Sequence, residues 1–169
     1  MILPLRLQKQ LLHNWCWAAV TSSISFYYNK NTRGWRQEQL AGRLLDNSCA
    51  AINPQNADTA PDVCNMQLDL ANALSLSGNF GGEVPRPLAP DGIRAHVNGG
   101  HPLCCQFIWP GLDDSHFVIL YGYESDQVIV GDPDPLQGGA FRIDYNSFLS
   151  NYRGGGQWVR TIGTRPSQV

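Results

Sequence analysis

The sequence predicts an α+β fold, in which a helical first half packs on an antiparallel sheet formed by the second half. Residues 8–99 carry apolar side chains at helical spacing, whereas residues 100–164 form short segments rich in β-branched and aromatic residues. A chain of 169 residues is long enough to bury its own core. We therefore expect one domain over residues 1–169, with a helical and a sheet subdomain.

The composition is that of a globular protein without a polyanionic partner. Hydrophobic residues make up 43% of the chain, charged residues 15%, and the formal net charge is −2. Lys and Arg are scattered, so nothing indicates binding of nucleic acid or an anionic membrane. Residues 1–12 are too short and too often charged for a cleavable signal peptide. An intracellular protein, a processed one and one exported without a Sec signal remain open alternatives.

Four helices are predicted in the first half. They cover residues 15–28, 35–46, 66–78 and 90–97, and a Gly- and Pro-rich connector spans 78–90. The residues predicted to face inward are Trp17, Val20, Ile24, Tyr27 and Tyr28 in the first helix, Leu40, Leu44 and Leu45 in the second, and Met66, Leu70, Ala73 and Leu74 in the third. The second half predicts strands over 102–109, 116–123, 127–132, 140–145 and 157–163, arranged as a meander, and a short helix over 145–152.

Cys16 is the candidate nucleophile, because it lies where the first helix begins. A helix N-terminus offers unpaired N–H groups and a partial positive charge, and both favour thiolate over thiol. A cysteine nucleophile also needs an imidazole as base and acid. Among the four histidines, which include His13, His96 and His101, we favour His116, since it starts the most apolar strand and is placed at a strand mouth.

The imidazole in turn needs a group that fixes its tautomer and orientation. Asp132 ends the strand that follows His116, and a short turn joining two antiparallel strands brings the start of one beside the end of the next. Asp134 fits a turn-forming role before the next segment. Asp114, two residues before His116, is a second alternative for the orienting carboxylate.

The chain has five cysteines, an odd number, so at least one is left out of any intramolecular pairing. Cys16 is the candidate for the unpaired thiol. Cys49 and Cys64 bracket a polar loop, and a disulfide between them would stabilise the fold by ~3 kcal/mol in the entropic model. Two free thiols are an equally weighted interpretation of this pair.

Together these residues resemble a papain-like cysteine peptidase. The segment from Gln10 to the motif Asn14-Trp15-Cys16-Trp17-Ala18-Ala19, followed by His116 and Asp132, is similar to the compact bacterial branch that includes AvrRpt2-type effector peptidases and neighbours of double-glycine leader peptidases. The resemblance covers residues 8 to about 162. It implies a papain-like fold, in which the central helix starts at the catalytic cysteine.

The resemblance also implies a role for each residue of the motif. Gln10 and the Cys16 N–H would hold the oxyanion, Cys16 would be the nucleophile, His116 the base and acid, and Asp132 the orienting group. Because relatives use asparagine at that position, Asp132→Asn is expected to be mild and Asp132→Ala severe. The expected substrate is a peptide or protein, and the expected protein is a monomer without metal, cofactor, nucleic acid or membrane partner.

The sequence departs from the family pattern at the rim of the site. His13 stands where the signature has a cysteine, so the family's disulfide there cannot form. Asp114 and Ser115 replace small residues before the histidine. The tryptophan that shields the His–Asn pair in papain would fall near Asp134, which leaves Trp109 or Trp158 as candidates for that role.

Three other interpretations fit parts of the sequence. His13 with Cys16, and His101 with Cys104 and Cys105, have spacing that suits zinc, but neighbouring strand residues face opposite ways and cannot easily bind one metal. The same triad also supports deamidation or acyl transfer, because the acyl-enzyme step is common to all three reactions. A catalytically inactive binding module is the third interpretation.

Overall fold

The computed structural model describes residues 1–168 and has an α+β architecture, as predicted. Its helices are α1 Cys16–Tyr28, α2 Gln37–Leu44, α3 Leu70–Ser77, α4 Pro90–Asn98 and α5 Tyr145–Ser150. Its strands are β1 Phe80–Val84, β2 Leu103–Ile108, β3 Ser115–Glu124, β4 Gln127–Asp132, β5 Gly139–Asp144 and β6 Gln157–Thr164. Three short 3-10 turns lie between α2 and α3, at Asn47–Ala51, Ala57–Thr59 and Asp62–Cys64.

The six strands form one antiparallel sheet in the order β1-β6-β2-β3-β4-β5. Strands β2 to β5 are a meander, as predicted, but the meander does not extend to the last strand. After α5 the chain returns across the sheet, and β6 pairs with β2 on one side and β1 on the other. The sheet therefore joins the first half of the chain to its C-terminal end.

Strand β1 lies inside the segment predicted as a connector, and that prediction is wrong. The segment has two glycines, Gly81 and Gly82, in place of β-branched residues, so its sequence carries no strand signal. In the structure Gly81 lies so close to β6 that an added Cβ would come within 2.9 Å of the Gly163 carbonyl carbon. The glycine allows the backbones to approach, and the strand at this edge depends on that contact.

Helix α1 is buried on every side rather than along one stripe. Its first ten residues, 16–25, are all buried, whereas Tyr27 and Tyr28 are only half-buried. Ala, Ser and Thr let neighbouring elements approach closely, and α1 packs against α2, α3 and β3. The buried hydroxyls of Thr21 and Ser23 donate to the carbonyls four residues earlier, so this polar sequence is compatible with a central position.

Helix α3 starts at Leu70, four residues later than predicted. The Asp69 side chain accepts a hydrogen bond from the Ala71 N–H and caps the helix. Met66 therefore lies outside the helix and is half exposed, so its assignment to the core is wrong. Leu70, Ala73 and Leu74 are fully buried, as predicted.

Cys49 and Cys64 form a disulfide, which decides between the two interpretations of this pair. Both residues are fully buried beneath the loop that they close. The three remaining cysteines, Cys16, Cys104 and Cys105, are free thiols.

Removing the disulfide should lower the free energy of unfolding by about 3 kcal/mol, since a 15-residue loop regains its freedom in the unfolded chain. The double variant Cys49→Ala/Cys64→Ala should then melt about 6–12 °C below the wild type. Calorimetry under non-reducing conditions measures this shift. Cys104→Ala is the matched control, because it deletes a buried sulfur without breaking a bridge. A loss no larger than twice that of the control would contradict a stabilising role of the disulfide.

Candidate active site

Cys16 is the first residue of α1, and the N-terminus of this helix has no capping side chain. The first bond along the helix runs from the Ala19 N–H to the Trp15 carbonyl, at 2.9 Å. The N–H groups of Cys16, Trp17 and Ala18 therefore precede the first N–H that donates along the helix, that of Ala19. No acidic residue lies in the first turn, so the positive end of the helix is left to the thiol.

The segment next to the disulfide holds this helix start in place. The Trp15 indole donates to the carbonyl of Cys64 at 2.6 Å, and the Trp17 indole donates to the carbonyl of Met66 at 2.9 Å. Asn14 makes two further bonds, from its backbone N–H to the Asn65 side chain and from its amide to the Asn65 carbonyl. Side chains on both sides of Cys16 are thus anchored to a segment that the disulfide fixes.

His116 lies at the start of β3, bonded to Asp132 and in the same cleft as Cys16. Its Nε2 is 2.7 Å from Oδ1 of Asp132, at the end of β4. Because Nε2 is engaged there, Nδ1 is the ring nitrogen left for Cys16, which lines the same cleft. The pairing of β3 with β4 brings the two strand ends together, as the sequence predicted.

The three side chains are largely removed from solvent. The His116 ring is 12% exposed and the Asp132 carboxylate is fully buried, while Cys16 keeps 6% of its surface exposed. Burial opposes the charged ring, but the hydrogen bond with Asp132 and the nearby Cys16 outweigh it and raise the pKa of His116 from 6.5 to about 9. The ring is therefore an imidazolium at neutral pH.

Two residues that sequence reasoning missed hold the other oxygen of Asp132. The Tyr152 hydroxyl donates to Oδ2 at 2.5 Å, and Nη1 of Arg153 donates to the same atom at 3.1 Å. Burial favours the neutral acid, but the hydrogen bonds from His116, Tyr152 and the Asp134 N–H hold the pKa of Asp132 below 3.8. The carboxylate is ionised at neutral pH. The only signal in the sequence was a Tyr-Arg pair before three glycines.

The other candidate carboxylates and histidines do not bind the His116 ring. Asp114 is exposed, and its carboxylate accepts from the Ser115 N–H rather than from His116. Asp134 caps its own turn and binds Arg153. His13 is exposed at the cleft, while His96 contacts the Gly92 carbonyl and His101 contacts the Tyr28 hydroxyl.

Gln10 lines the same cleft as Cys16 and His116. Its amide nitrogen donates to the His13 carbonyl at 2.6 Å and to the Leu12 carbonyl at 3.2 Å. The amide thereby bridges two backbone carbonyls of the loop before α1. Its oxygen is buried and has no partner, and its backbone N–H donates to the Pro133 carbonyl.

Cys16 lies where two cavities meet. The larger, about 750 Å³, runs past His116 between Trp109 and the loop after β4. The smaller, about 280 Å³, is polar and includes Gln106 and Arg160. A separate groove of about 560 Å³ beside α2 shares no residue with either. Of the two tryptophans considered as shields, Trp109 lines the cleft, whereas Trp158 is buried against Phe148.

Within residues 1–168, no group of three or more His, Cys, Asp or Glu residues is arranged to hold a metal ion. Over the same residues, every helix is too short or too polar to span a bilayer.

The model of the family described as papain-like cysteine protease AvrRpt2 matches residues 2–153. The chain belongs to this family. It is accordingly a papain-like cysteine protease, as the motif around Cys16 predicted. No curated protein matches the chain at a significant level.

Solved structures share the papain-like fold at low sequence identity. The peptidase domain of Streptococcus ComA, a bi-functional ABC transporter involved in quorum sensing, is 17% identical, with a TM-score of 0.59 over 96% of this chain and 98% of that one. The Streptococcus mutans ComA peptidase domain is 16% identical, with a TM-score of 0.52 over 94% and 98%. A double glycine motif protease from an AMS/PCAT transporter, in complex with its leader peptide, is 15% identical, with a TM-score of 0.52 over 96% and 93%.

The pKa of His116 can be measured directly in this cysteine protease. The raised value means that the proton stabilises the folded state in full below about pH 6.5, and that this contribution is lost as the pH rises through about 9. Titration of the ring by NMR should therefore give a midpoint near 9. The midpoint should fall in Asp132→Ala, because the carboxylate is lost. His116→Gln assigns the signal, and a wild-type midpoint at or below 6.5 would contradict the ion pair.

Proposed function

We propose that the protein hydrolyses peptide bonds through a triad of Cys16, His116 and Asp132. The observation that carries the proposal is the position of the His116 ring, which hydrogen-bonds the Asp132 carboxylate through Nε2 and lines the same cleft as Cys16. This arrangement suits a thiolate–imidazolium pair with the imidazole fixed in one orientation. The uncapped start of α1 adds positive potential at the sulfur.

The reaction proceeds in two stages. The Cys16 thiolate attacks the substrate carbonyl, and the imidazolium of His116 protonates the leaving amine as the C–N bond breaks. The neutral imidazole then takes a proton from water, the resulting hydroxide attacks the acyl-enzyme, and the thiolate leaves as the acid product forms. Asp132 holds the ring in place and stabilises its charged form throughout.

The oxyanion is held by the Cys16 N–H and by Gln10. The Cys16 N–H precedes the first helical hydrogen bond and is therefore available to the oxygen of the attacked carbonyl. The Gln10 amide uses both hydrogens on carbonyls, and its bond to Leu12 is the longer, at 3.2 Å. That bond is the one released when the amide turns to the oxyanion.

The substrate is a peptide or protein segment that lies along the cleft over Cys16. The cleft of about 750 Å³ is large enough for several residues. The related AMS/PCAT protease, which shares the fold, is solved with a leader peptide bound. This likeness supports a peptide or protein as the substrate here.

A peptide-library assay read by mass spectrometry tests the reaction. Cys16→Ala should abolish cleavage, and Gln10→Ala should lower kcat/KM by ~100-fold, since one oxyanion donor is lost. Asp91→Ala is the matched control and should stay near wild-type activity, because Asp91 is exposed on α4 and lines neither cavity at Cys16. A mass change without chain cleavage would indicate deamidation instead. Full activity in Cys16→Ala would exclude the mechanism.

Two exposed leucines on the cleft should contribute to substrate binding. Leu112 is 67% exposed and Leu136 is 92% exposed, and both line the large cavity. Burying one such side chain against a substrate contributes about 1.5–3 kcal/mol. Leu112→Ser and Leu136→Ser should thus raise KM about 10-fold or more, with kcat little changed. Met66→Ser is the matched control, since Met66 is half exposed outside that cavity. An unchanged KM in both leucine variants would contradict this role.

A further inference from the structure

The carboxylate of Asp132 is bonded on both of its oxygens. Oδ1 accepts from His116 Nε2 at 2.7 Å and from the Asp134 N–H at 2.9 Å. Oδ2 accepts from the Tyr152 hydroxyl at 2.5 Å and from Nη1 of Arg153 at 3.1 Å. One oxygen thus faces the site, and the other faces two donors on a different element.

The two donors to Oδ2 are rigidly placed. The Tyr152 side chain is 1% exposed and packs among Phe107, Phe141 and Phe148. Burial and the nearby Asp132 charge raise the pKa of Tyr152, so its hydroxyl remains a donor. The Arg153 guanidinium is 22% exposed and also binds Asp134 and Gln137 through Nη2.

A strained turn delivers both side chains to the carboxylate. Tyr152 and Gly156 exchange two backbone hydrogen bonds, and the residues between them have left-handed φ angles: 46° at Arg153, 78° at Gly154 and 116° at Gly155. Glycine adopts such angles freely, but arginine does not. The Trp109 indole also holds the Arg153 carbonyl, at 3.2 Å. Strain retained next to a reacting group suggests a functional role.

We infer that Tyr152 and Arg153 are positioning residues that make a carboxylate, rather than an amide, the required partner of His116. The inference rests on the proposed function. Both residues offer donors, so the group that meets them must accept at Oδ2 while it also accepts from His116 at Oδ1. A carboxylate meets both demands, because each oxygen is an acceptor.

An asparagine at position 132 can accept a hydrogen bond on only one side of its amide, so it meets only one of these two demands. If its oxygen faces His116, its NH₂ group points at the guanidinium of Arg153, where donor meets donor. If the amide turns over, its NH₂ group faces Nε2 of His116 and selects the tautomer that carries the proton on Nδ1, next to the thiol. That tautomer cannot act as a base toward Cys16. The expectation of a mild Asp132→Asn variant, taken from relatives with asparagine, is therefore replaced by a severe loss.

A double-mutant cycle tests the inference. Asp132→Asn alone should lower kcat/KM by ~100-fold or more. In the background Tyr152→Phe/Arg153→Met, where the opposing donors are gone, the same substitution should cost about 10-fold or less. Tyr145→Phe/Arg142→Met is the matched control background, because these side chains bind Leu88 and Glu124 away from Asp132. Equal losses in all three backgrounds would overturn the inference.

The pH profile separates positioning from mere stabilisation. Without the two donors, burial acts on Asp132 unopposed at Oδ2, so the acidic limb of kcat/KM should move to higher pH in the Tyr152→Phe/Arg153→Met variant. A purely structural role would lower the melting temperature and leave the limb in place. If the double variant does not fold, Tyr152→Phe alone, which keeps the ring, is used for the cycle and the profile.

A third readout needs no peptide substrate. Cys104 and Cys105 are fully buried and Cys49 and Cys64 are bonded, so iodoacetamide reports on Cys16. The alkylation rate of Asp132→Asn at neutral pH should fall in the wild-type background and recover in the Tyr152→Phe/Arg153→Met background. If the wild type cleaves no peptide but this recovery is seen, the proposed function fails and the inference stands. If the wild type cleaves peptides but the alkylation rate does not recover, the proposed function stands and the inference fails.

Discussion

The site depends on one contact, that between the uncapped N-terminus of the buried helix α1 and the start of the interior strand β3. Helix α1 is buried over its first ten residues, yet its first N–H groups must stay free of protein acceptors. Small side chains let α2, α3 and β3 close around it, and buried hydroxyls satisfy themselves on the helix. No side chain caps its start, so the N–H groups beside the Cys16 thiol have no capping acceptor.

Holding that helix start in place requires bonds from outside the helix. The indoles of Trp15 and Trp17 are bonded to backbone carbonyls next to the disulfide, and both rings are fully buried. The disulfide thus helps to position the thiol indirectly, because it fixes the segment to which the two indoles are bonded.

Much of the fold follows from local patterns. The helices and the strands from β2 to β5 lie close to where apolar periodicity put them, because side chains that face a core must recur at the period of their own element. Strand β1 was missed, since its glycines serve a close approach to Gly163 that only β6 creates. Met66 was misplaced because the cap at Asp69 starts the helix later than its apolar pattern suggests.

By itself the sequence determined the family, the residue types at the site and the strand pair that brings His116 to Asp132, because motif spacing and a short turn are local properties. The tertiary structure alone decided how Asp132 is held, since Tyr152 and Arg153 reach it from a turn beyond β5 and α5. It also chose Asp132 over Asp114 and Asp134. The donors around a buried charge come from elements that are distant in sequence and meet only in the folded protein. Their positions therefore cannot be predicted from motif spacing along the chain.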